Sequence, residues 1–592
     1  MKNQEIAERL REIADFLEIE EVEYKPRAYR TAARNVESLS ESIEAVHERG
    51  ELEGIEGVGE SIAEKIAEYL ETGEMSYYEE LRAELPIDIE AITSVEGVGP
   101  KTARTLYTEL GVATLEDLER AAEAGEIAEI EGFGEKSQRN ILEHIELAKA
   151  GRERMLLGHA FPIARDVEAR LGDAEAFGRC DVVGSFRRRR PTVGDIDVLA
   201  TAPDPGAAME VFCSHDDVKE VLARGETKSS VLVSGDLRMD LRIVEEAEYG
   251  AALVYFTGSK DHNIALRNRA IDRGWKLNEY GLFDADAGGG DDQDADGGDG
   301  EGGGVEATGD GERAGDRLAG ETEEGVYDAL DLDWIAPELR EDTGEVDAAA
   351  AGDLPDLVGY DALVGDLQVH TDYSDGSHTV REMAEAADEL GLEYLLTTDH
   401  GPNAPIPSRL DAEGLEAQRA DVEAVNDDED LAVTVLQGVE AEITEAGLEL
   451  PEDWYDSLDL VVAGMHSSPD DPADRVVHAL EAFPVDVLAH PTNRLINERE
   501  PLDLDLDAVM GTAADEGVAV EINAQPERLD LDWQSVKEYR GTVPYVVSTD
   551  AHTTGELEFA HLGVAQARRG WCGAEDVLNT RPLEECLSFF GA

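Results

Sequence analysis

The sequence predicts a multidomain protein with a helical N-terminal region, an α+β middle region and a C-terminal parallel (β/α)7 barrel. Three observations carry this reading. At 592 residues the chain is too long for one core, and three or four domains are expected. Residues 1–150 carry apolar positions at helical spacing, interrupted by Gly-containing breaks. From residue 360 onward, seven apolar runs alternate with helical or loop segments: "ALVGDLQVH", "EYLLTTDH", "AVTVLQGVE", "LDLVVAGMH", "VDVLAH", "VAVEIN" and "VPYVVSTDAH". Such nearly continuous runs mark parallel strands buried on both faces.

Composition narrows the function class. No run of about 18 apolar residues exists, which argues against a membrane span. The start, "MKNQEIAERLREIADF", is charged and helical in pattern, unlike a secretory signal. The four cysteines are scattered without a CxxC, which fits a reducing cytoplasm and excludes a cysteine zinc site. Acidic residues number 135 against 50 basic ones, for a net charge of −85. The acid is spread over a patterned chain, so neither an acidic tail nor general disorder accounts for it. The expectation is a protein of a salt-accumulating halophile, in which self-repulsion is screened over ~3 Å at 1 M salt. The 11 lysines against 39 arginines agree.

Three segments of the N-terminal region repeat one pattern: "IEGVGESIAEKIAEYL" from Ile55, "VEGVGPKTARTLYTEL" from Val95 and "IEGFGEKSQRNILEHI" from Ile130. Each has an apolar residue, Glu, Gly-x-Gly and then an amphipathic helix, which resembles the helix-hairpin-helix module. The glycines, Gly57, Gly59, Gly97, Gly99, Gly132 and Gly134, would let backbone N–H groups at a helix start approach a phosphate closely. A single copy is equally a helix C-cap followed by another helix. Three copies favour non-specific binding to a nucleic-acid backbone.

In the middle region, "RCDVVGSF", "DIDVLATA", "SSVLVSG" and "LRMDLRIV" read as strands. Asp284–Gly325 is nearly all Gly, Asp, Glu and Ala and is expected to be a disordered insertion. Apolar content returns at Val326, and a linker is expected over 346–359. The stretch "GSFRRRRPTVGDIDVLA" carries the chemistry. Residues two apart on a strand share a face, so Asp195 and Asp197 aim at one point, and Asp240 can join them from a neighbouring strand. Convergent carboxylates repel unless cations lie between them, and oxygen ligands suit Mg²⁺ or Mn²⁺. Two such ions serve an in-line phosphoryl displacement. Gly184 and Ser185 can hold phosphate oxygens, and Arg187 to Arg190 would offset the charge of a triphosphate. A lone DxD in so acidic a chain is usually a solvated turn. The ordered set of Gly-Ser, arginines, GDxD and a later aspartate reverses that reading.

With "MDLR", "YFTGSKDHNIALRNRA" and "LNEYGLF", this stretch resembles the family X DNA polymerases of the DNA polymerase beta type, from the N-terminus to about residue 345. The resemblance implies a lyase-like helix-hairpin-helix domain over 1–84, a fingers-like region over 85–154, and a nucleotidyltransferase palm and thumb over 155–345. It makes Asp195, Asp197 and Asp240 the metal-binding catalytic aspartates. Gly184, Ser185, Arg188 and Gly194 would hold the triphosphate. Tyr255, Phe256 and Gly258 would meet the nucleotide sugar, Asn263 the base edge and Arg267 the template minor groove. Lys260 and Ile264 depart from other members. Lys65 falls at the family's Schiff-base lysine, near Lys25 and Tyr29, with Ser61 where some relatives carry a second lysine. Its alternative role is to bind phosphate.

In the C-terminal region the apolar runs end in polar residues: Gln368 and His370 with Asp375 following, then His400, Glu440, His466, His490, and Asp550 with His552. So many histidines and carboxylates at one barrel mouth are costly unless metal ions bind them. Residues 360–560 resemble the polymerase-and-histidinol-phosphatase (PHP) domain, which implies up to three divalent ions, Zn²⁺ or Mn²⁺, held by those nine residues. Gln368 stands where many members have histidine. Beside a polymerase, the expected role is a 3′–5′ exonuclease, with abasic-site or 5′-deoxyribose-phosphate processing as a further activity.

The sequence thus predicts a cytoplasmic, monomeric base excision repair polymerase acting on gapped or nicked DNA with deoxynucleoside triphosphates. Two alternatives stand beside it: a phosphoesterase whose polymerase half only positions DNA, and a non-catalytic DNA-binding scaffold. The complete aspartate set argues against both.

Overall fold

The computed structural model describes the chain except residues 1, 20–21, 23–24, 38–42, 56, 74, 85–86, 94, 96–97, 131–132, 135, 143–144, 146–153, 216, 234–236, 285–312, 314, 403, 407, 449, 470 and 592. It divides into two compact units, residues 1–159 with 356–592 and residues 160–355. Among the described residues, no helix is long and apolar enough to cross a membrane.

The first unit opens with helices Lys2–Ile19 and Lys25–Glu37 packed together. Ile6, Leu10, Ile13 and Leu17 recur at three- and four-residue spacing and are fully buried against Ala32 and Ala33. Gly57 sits at φ +73°, and a Cβ there would lie 2.9 Å from Thr31 Cγ2, so this turn requires glycine. Gly59 and Gly99 immediately precede helices Glu60–Thr72 and Pro100–Leu110. Exposed Gly134 accepts a bond from the Gln138 amide, one helical turn on. Gly97 and Gly132 lie outside the described residues.

The same unit holds the C-terminal barrel. Strands Gly365–Val369, Tyr394–Thr397, Thr434–Thr444, Leu460–Gly464, Val487–Leu488, Ala519–Asn523 and Tyr545–Ser548 pair in that order, each parallel to the next. A parallel bridge between Val369 and Ala551 brings the last strand back to the first, and the His370 amide donates to the Ala551 carbonyl over 2.8 Å. All seven predicted runs form strands of this barrel. Gly447–Leu448 adds a short antiparallel hairpin arm. Leu367, Leu396, Val462 and Ala519 fill one core, which is why the runs are mainly apolar.

The second unit is built on a five-stranded sheet in the order Cys180–Val182, Asp195–Thr201, Arg238–Val244, Lys228–Val233, Val218–Arg224. Two expectations are corrected here. The acidic insertion ends before Gly325: Asp316–Ala319 is a strand paired antiparallel with Gly281–Asp284. Backbone pairing and close approach hold it in place of apolar burial, since Gly320 accepts from the Ala251 amide and Gly250 has no room for a Cβ beside Thr322. The linker expected over 346–359 begins instead as helix Glu345–Ala351. Its buried Glu345 accepts from the Asp342 and Thr343 amides and contacts His262 Nδ1 at 2.6 Å.

Candidate active sites

Asp195 opens strand Asp195–Thr201, and its neighbour in the sheet is the parallel strand Arg238–Val244. Register pairs Asp197 directly with Asp240. Asp240 is held by Arg238 through Nε and Nη2, at 2.8 and 2.9 Å, and by Lys228 at 2.9 Å. Burial, with Asp195 and Asp240 alongside, pushes the Asp197 carboxyl up to about 6. That environment favours a cation, so the residues fit a divalent ion. The apparent divalent-ion affinity of this site is therefore expected to fall as pH drops through about 6, where a proton competes for Asp197. Mg²⁺ titrations of nucleotide transfer at pH 5.5, 6.5 and 7.5 check this, and an affinity flat with pH contradicts it.

Gly184 (φ +66°) starts the short helix Gly184–Arg187, and a Cβ there would lie 2.8 Å from Asp197 Oδ2. The glycine therefore lets the turn approach the Asp197 carboxylate closely. Ser185 follows it, half-buried, and Gly194 immediately precedes Asp195.

The four arginines do not act as one basic patch. Arg187 makes a two-pronged pair with Glu323 at 2.7 and 2.8 Å, and fully buried Arg340 shares that carboxylate. The two guanidinium groups hold Glu323 down at about 2. Arg188 and Arg190 approach Glu341 at 3.2 and 3.5 Å, and Arg189 lies over the Phe161 and Phe186 rings. The expected collective charge offset is thus corrected: Arg187 ties a buried ion network, and Arg188 bonds the Thr257 carbonyl beside Gly258. Tyr255 is exposed, Phe256 stacks under Arg242, Asn263 donates to the Tyr255 carbonyl at 2.7 Å, and Arg267 is exposed.

At the barrel, every strand-end residue singled out above converges on one mouth. Three groups bring ligand atoms within 4.8 Å of one another: His370, Asp375, His400 and His552; His400, Glu440 and His466; His370, Glu440 and Asp550. Glu440 Oε2 lies 3.4 Å from His370 and 3.3 Å from His400, and Oε1 lies 2.9 Å from His490 and 3.4 Å from His466. Gln368 Nε2 reaches Asp550 at 3.5 Å. Both ring nitrogens of His370, Nδ1 of His400 and of His490, and Gln368 Oε1 are buried without a hydrogen-bond partner. Buried polar atoms left this way call for an ion, so the donor set fits divalent metals. Burial, against nearby Glu440, lowers His400 to about 4, which leaves one ring nitrogen free to bind. Nearby histidines depress Asp375 and Asp550 despite burial. His490 and Asp550 hold φ of +27° and +53°, and Gly464 has no room for a Cβ beside Glu440 Oε1. Strain and close packing thus concentrate at the ligands. Among the described residues, the palm aspartates do not form a group this tight.

Family comparisons agree with this division. A helix-hairpin-helix domain matches residues 1–75, a SAM-like helix-hairpin-helix tandem 89–146, a DNA polymerase beta thumb 252–341 and a PHP domain 366–525. The chain is 33% identical to the DNA polymerase/3′-5′ exonuclease PolX of Bacillus subtilis (strain 168), over 100% of this chain and 99% of that protein. The chain belongs to the PHP-containing family X DNA polymerases. It is also 27% identical to DNA polymerase lambda of Rattus norvegicus, over 47% of this chain and 49% of that one. A probable phosphatase of Thermoanaerobacter pseudethanolicus matches 37% of the chain at 31% identity, over 91% of its own length.

Several supporting residues of this family X polymerase escape sequence reasoning. Glu442 accepts from His466 Nδ1 at 2.6 Å and from its amide. Glu521 accepts from the His490 amide at 2.6 Å, and Asn523 donates to Asp550 at 3.1 Å. These partners orient the ligands. The period-2 alternation from Glu440 to Glu442 and from Glu521 to Asn523 was the available signal. In the N-terminal region, Lys65 Nζ donates to the Ser61 carbonyl and hydroxyl at 2.8 and 2.9 Å and lies 4.9 Å over the Tyr77 ring. Burial lowers its pKa, and Lys25 adds to the effect.

Proposed function

We propose that this polymerase fills short gaps during base excision repair and trims 3′ ends at its barrel, under high salt. The observation that carries the reading is the coexistence, in one chain, of the Asp197–Asp240 strand pair and three overlapping His/carboxylate groups. Bound divalent ions supply Lewis-acid charge to both phosphoryl transfers. Mg²⁺ or Mn²⁺ suits the palm oxygens, and Zn²⁺ or Mn²⁺ the barrel nitrogens. In the palm, Asp195, Asp197 and Asp240 supply the negative pocket, while the Gly184–Ser185 turn offers N–H groups to the triphosphate. Arg188 borders Gly258, so the triphosphate turn and the sugar-facing segment are linked. In the barrel, Glu440 and the histidines hold the ions, and Glu442, Glu521 and Asn523 keep them aimed. The lowered pKa of Lys65, from burial and then Lys25, supports a role as lyase nucleophile beside its alternative of binding phosphate. The polymerase works as a soluble monomer in the cytoplasm.

The test is template-dependent extension of a gapped duplex, with 3′ resection followed in the same samples. The net charge of −85 adds a salt prediction. Ordinary DNA binders weaken with salt through counterion release. Here salt also screens the repulsion between an acidic protein and DNA. Gap filling is expected to rise with KCl into the molar range, with folding tracked by circular dichroism. An optimum near ~0.1 M KCl, typical of unscreened phosphate contacts, in stably folded protein refutes the high-salt reading.

A further inference from the structure

The first two helices of the chain reach the barrel mouth. An open cavity of about 490 Å³ is lined on one side by Arg11, Arg30 and Arg34 and on the other by Asp550 and His552, with Arg528 beside them. Its size falls within the range of small-molecule sites, ~300–1,000 Å³. Four guanidinium groups gathered in one cavity stand out in a chain with only 50 basic residues against 135 acidic ones.

Arg30 and Arg34 are one helical turn apart on Lys25–Glu37, so they share a face. Arg30 is held by Asp15 and Glu18 at 2.7 and 2.6 Å, which fixes its helix against the first. Arg34 has a different partner: its Nη1 donates to the main-chain carbonyl of Asp375 at 3.1 Å. That is its one hydrogen bond among the described residues, and a guanidinium has five donors. Arg34 therefore stands against a metal-ligand residue with most of its donors available to the cavity. Of the five acids lining the cavity, Asp15 is held by Arg30, Glu556 by the His552 amide and Gln525, and Asp550 by Asn523, while Glu498 and Glu527 lie near Arg11. Arg528 lies 3.7 Å from Asp550. The ring of Phe559 adds an apolar surface to the lining.

We infer that the N-terminal helix pair completes the nuclease site, with Arg34, supported by Arg11, binding the phosphates of the 3′-terminal nucleotides presented to the barrel. The inference rests on the reading of the barrel as a 3′ nuclease. A phosphodiester strand matches the chemistry: planar guanidinium forks take phosphate oxygens in pairs, and the metal groups lie across the same cavity. It gives the lyase-like region a role in resection as well as in gap binding.

The test uses the full-length, metal-loaded protein and a single-stranded oligonucleotide with a labelled 5′ end. Arg34→Gln is expected to lower kcat/KM for 3′ resection about 10- to 100-fold, the loss of a charge-assisted phosphate contact. Arg34→Lys should recover part of this, and Arg11→Gln should lower kcat/KM in the same direction. Bound metal and primer extension should stay at wild-type levels in all three. Wild-type kcat/KM in both glutamine variants overturns the inference, as does a loss that tracks loss of metal. His466→Ala run in parallel separates the two layers: if it too resects normally, the nuclease reading itself has failed; if it is inactive while the arginine variants are normal, only the role of the helix pair falls.

Discussion

Asp197→Ala is expected to slow nucleotide transfer at least about 10²- to 10³-fold, the scale of removing one preorganised electrostatic stabiliser. The reason is local. Asp197 stands in register with Asp240, and the Gly184 turn approaches it closely. It is also the carboxylate that burial and its two acidic neighbours raise to about 6. Asp240 already has Arg238 and Lys228 as partners. DNA binding should persist, because the Gly57–Gly59 and Gly99 turns lie in the other unit. Single-turnover extension of a one-nucleotide gap, with a parallel binding isotherm, makes the measurement. Extension at the wild-type rate would remove Asp197 from the site.

Glu440→Gln is expected to empty the barrel of metal and reduce 3′ resection about 10²-fold or more while extension continues, since metal ligands and their charge carry the step. The substitution keeps the size of the side chain and removes its charge. That charge faces His370, His400, His466 and His490 within 2.9–3.4 Å. Despite complete burial, those four histidines hold Glu440 ionised, well below the usual carboxylate range. Metal content of the purified variant, read beside resection and thermal melting, decides the matter. Full metal occupancy with full resection would show that the barrel works without Glu440.

The barrel was legible because its strands are mostly apolar runs and six of the seven carry or precede a candidate ligand. Those two signals coincide at His370, His400, Glu440, His466 and His490. The palm aspartates were legible from a spacing of two. Strand Val218–Arg224 was not, because six of its seven residues are exposed at the sheet edge, including Val221 and Leu222, and burial imposes no alternation there. Strand Asp316–Ala319 was hidden for a similar reason: it is largely exposed, and its acidic, glycine-rich surroundings give no apolar signal. The arginine run misled because four adjacent like charges look like one surface, whereas Glu323, Glu341 and two aromatic rings separate them in space. Glu442 and Glu521 were passed over as ordinary acids among 135.

Glu440 belongs to two of the three groups at the barrel mouth, one oxygen turned toward His370 and His400 and the other toward His466 and His490. A shared carboxylate makes loading of the centres interdependent. An ion that draws on one oxygen withdraws electron density and charge from whatever occupies the other side, and linkage requires the same penalty in return. Titrated with metal, the barrel should fill in unequal steps, a tight first equivalent followed by weaker ones. A chelator of intermediate strength would then leave a partly filled barrel before it strips the last ion, so the cell's free-metal level sets how much of the nuclease is armed.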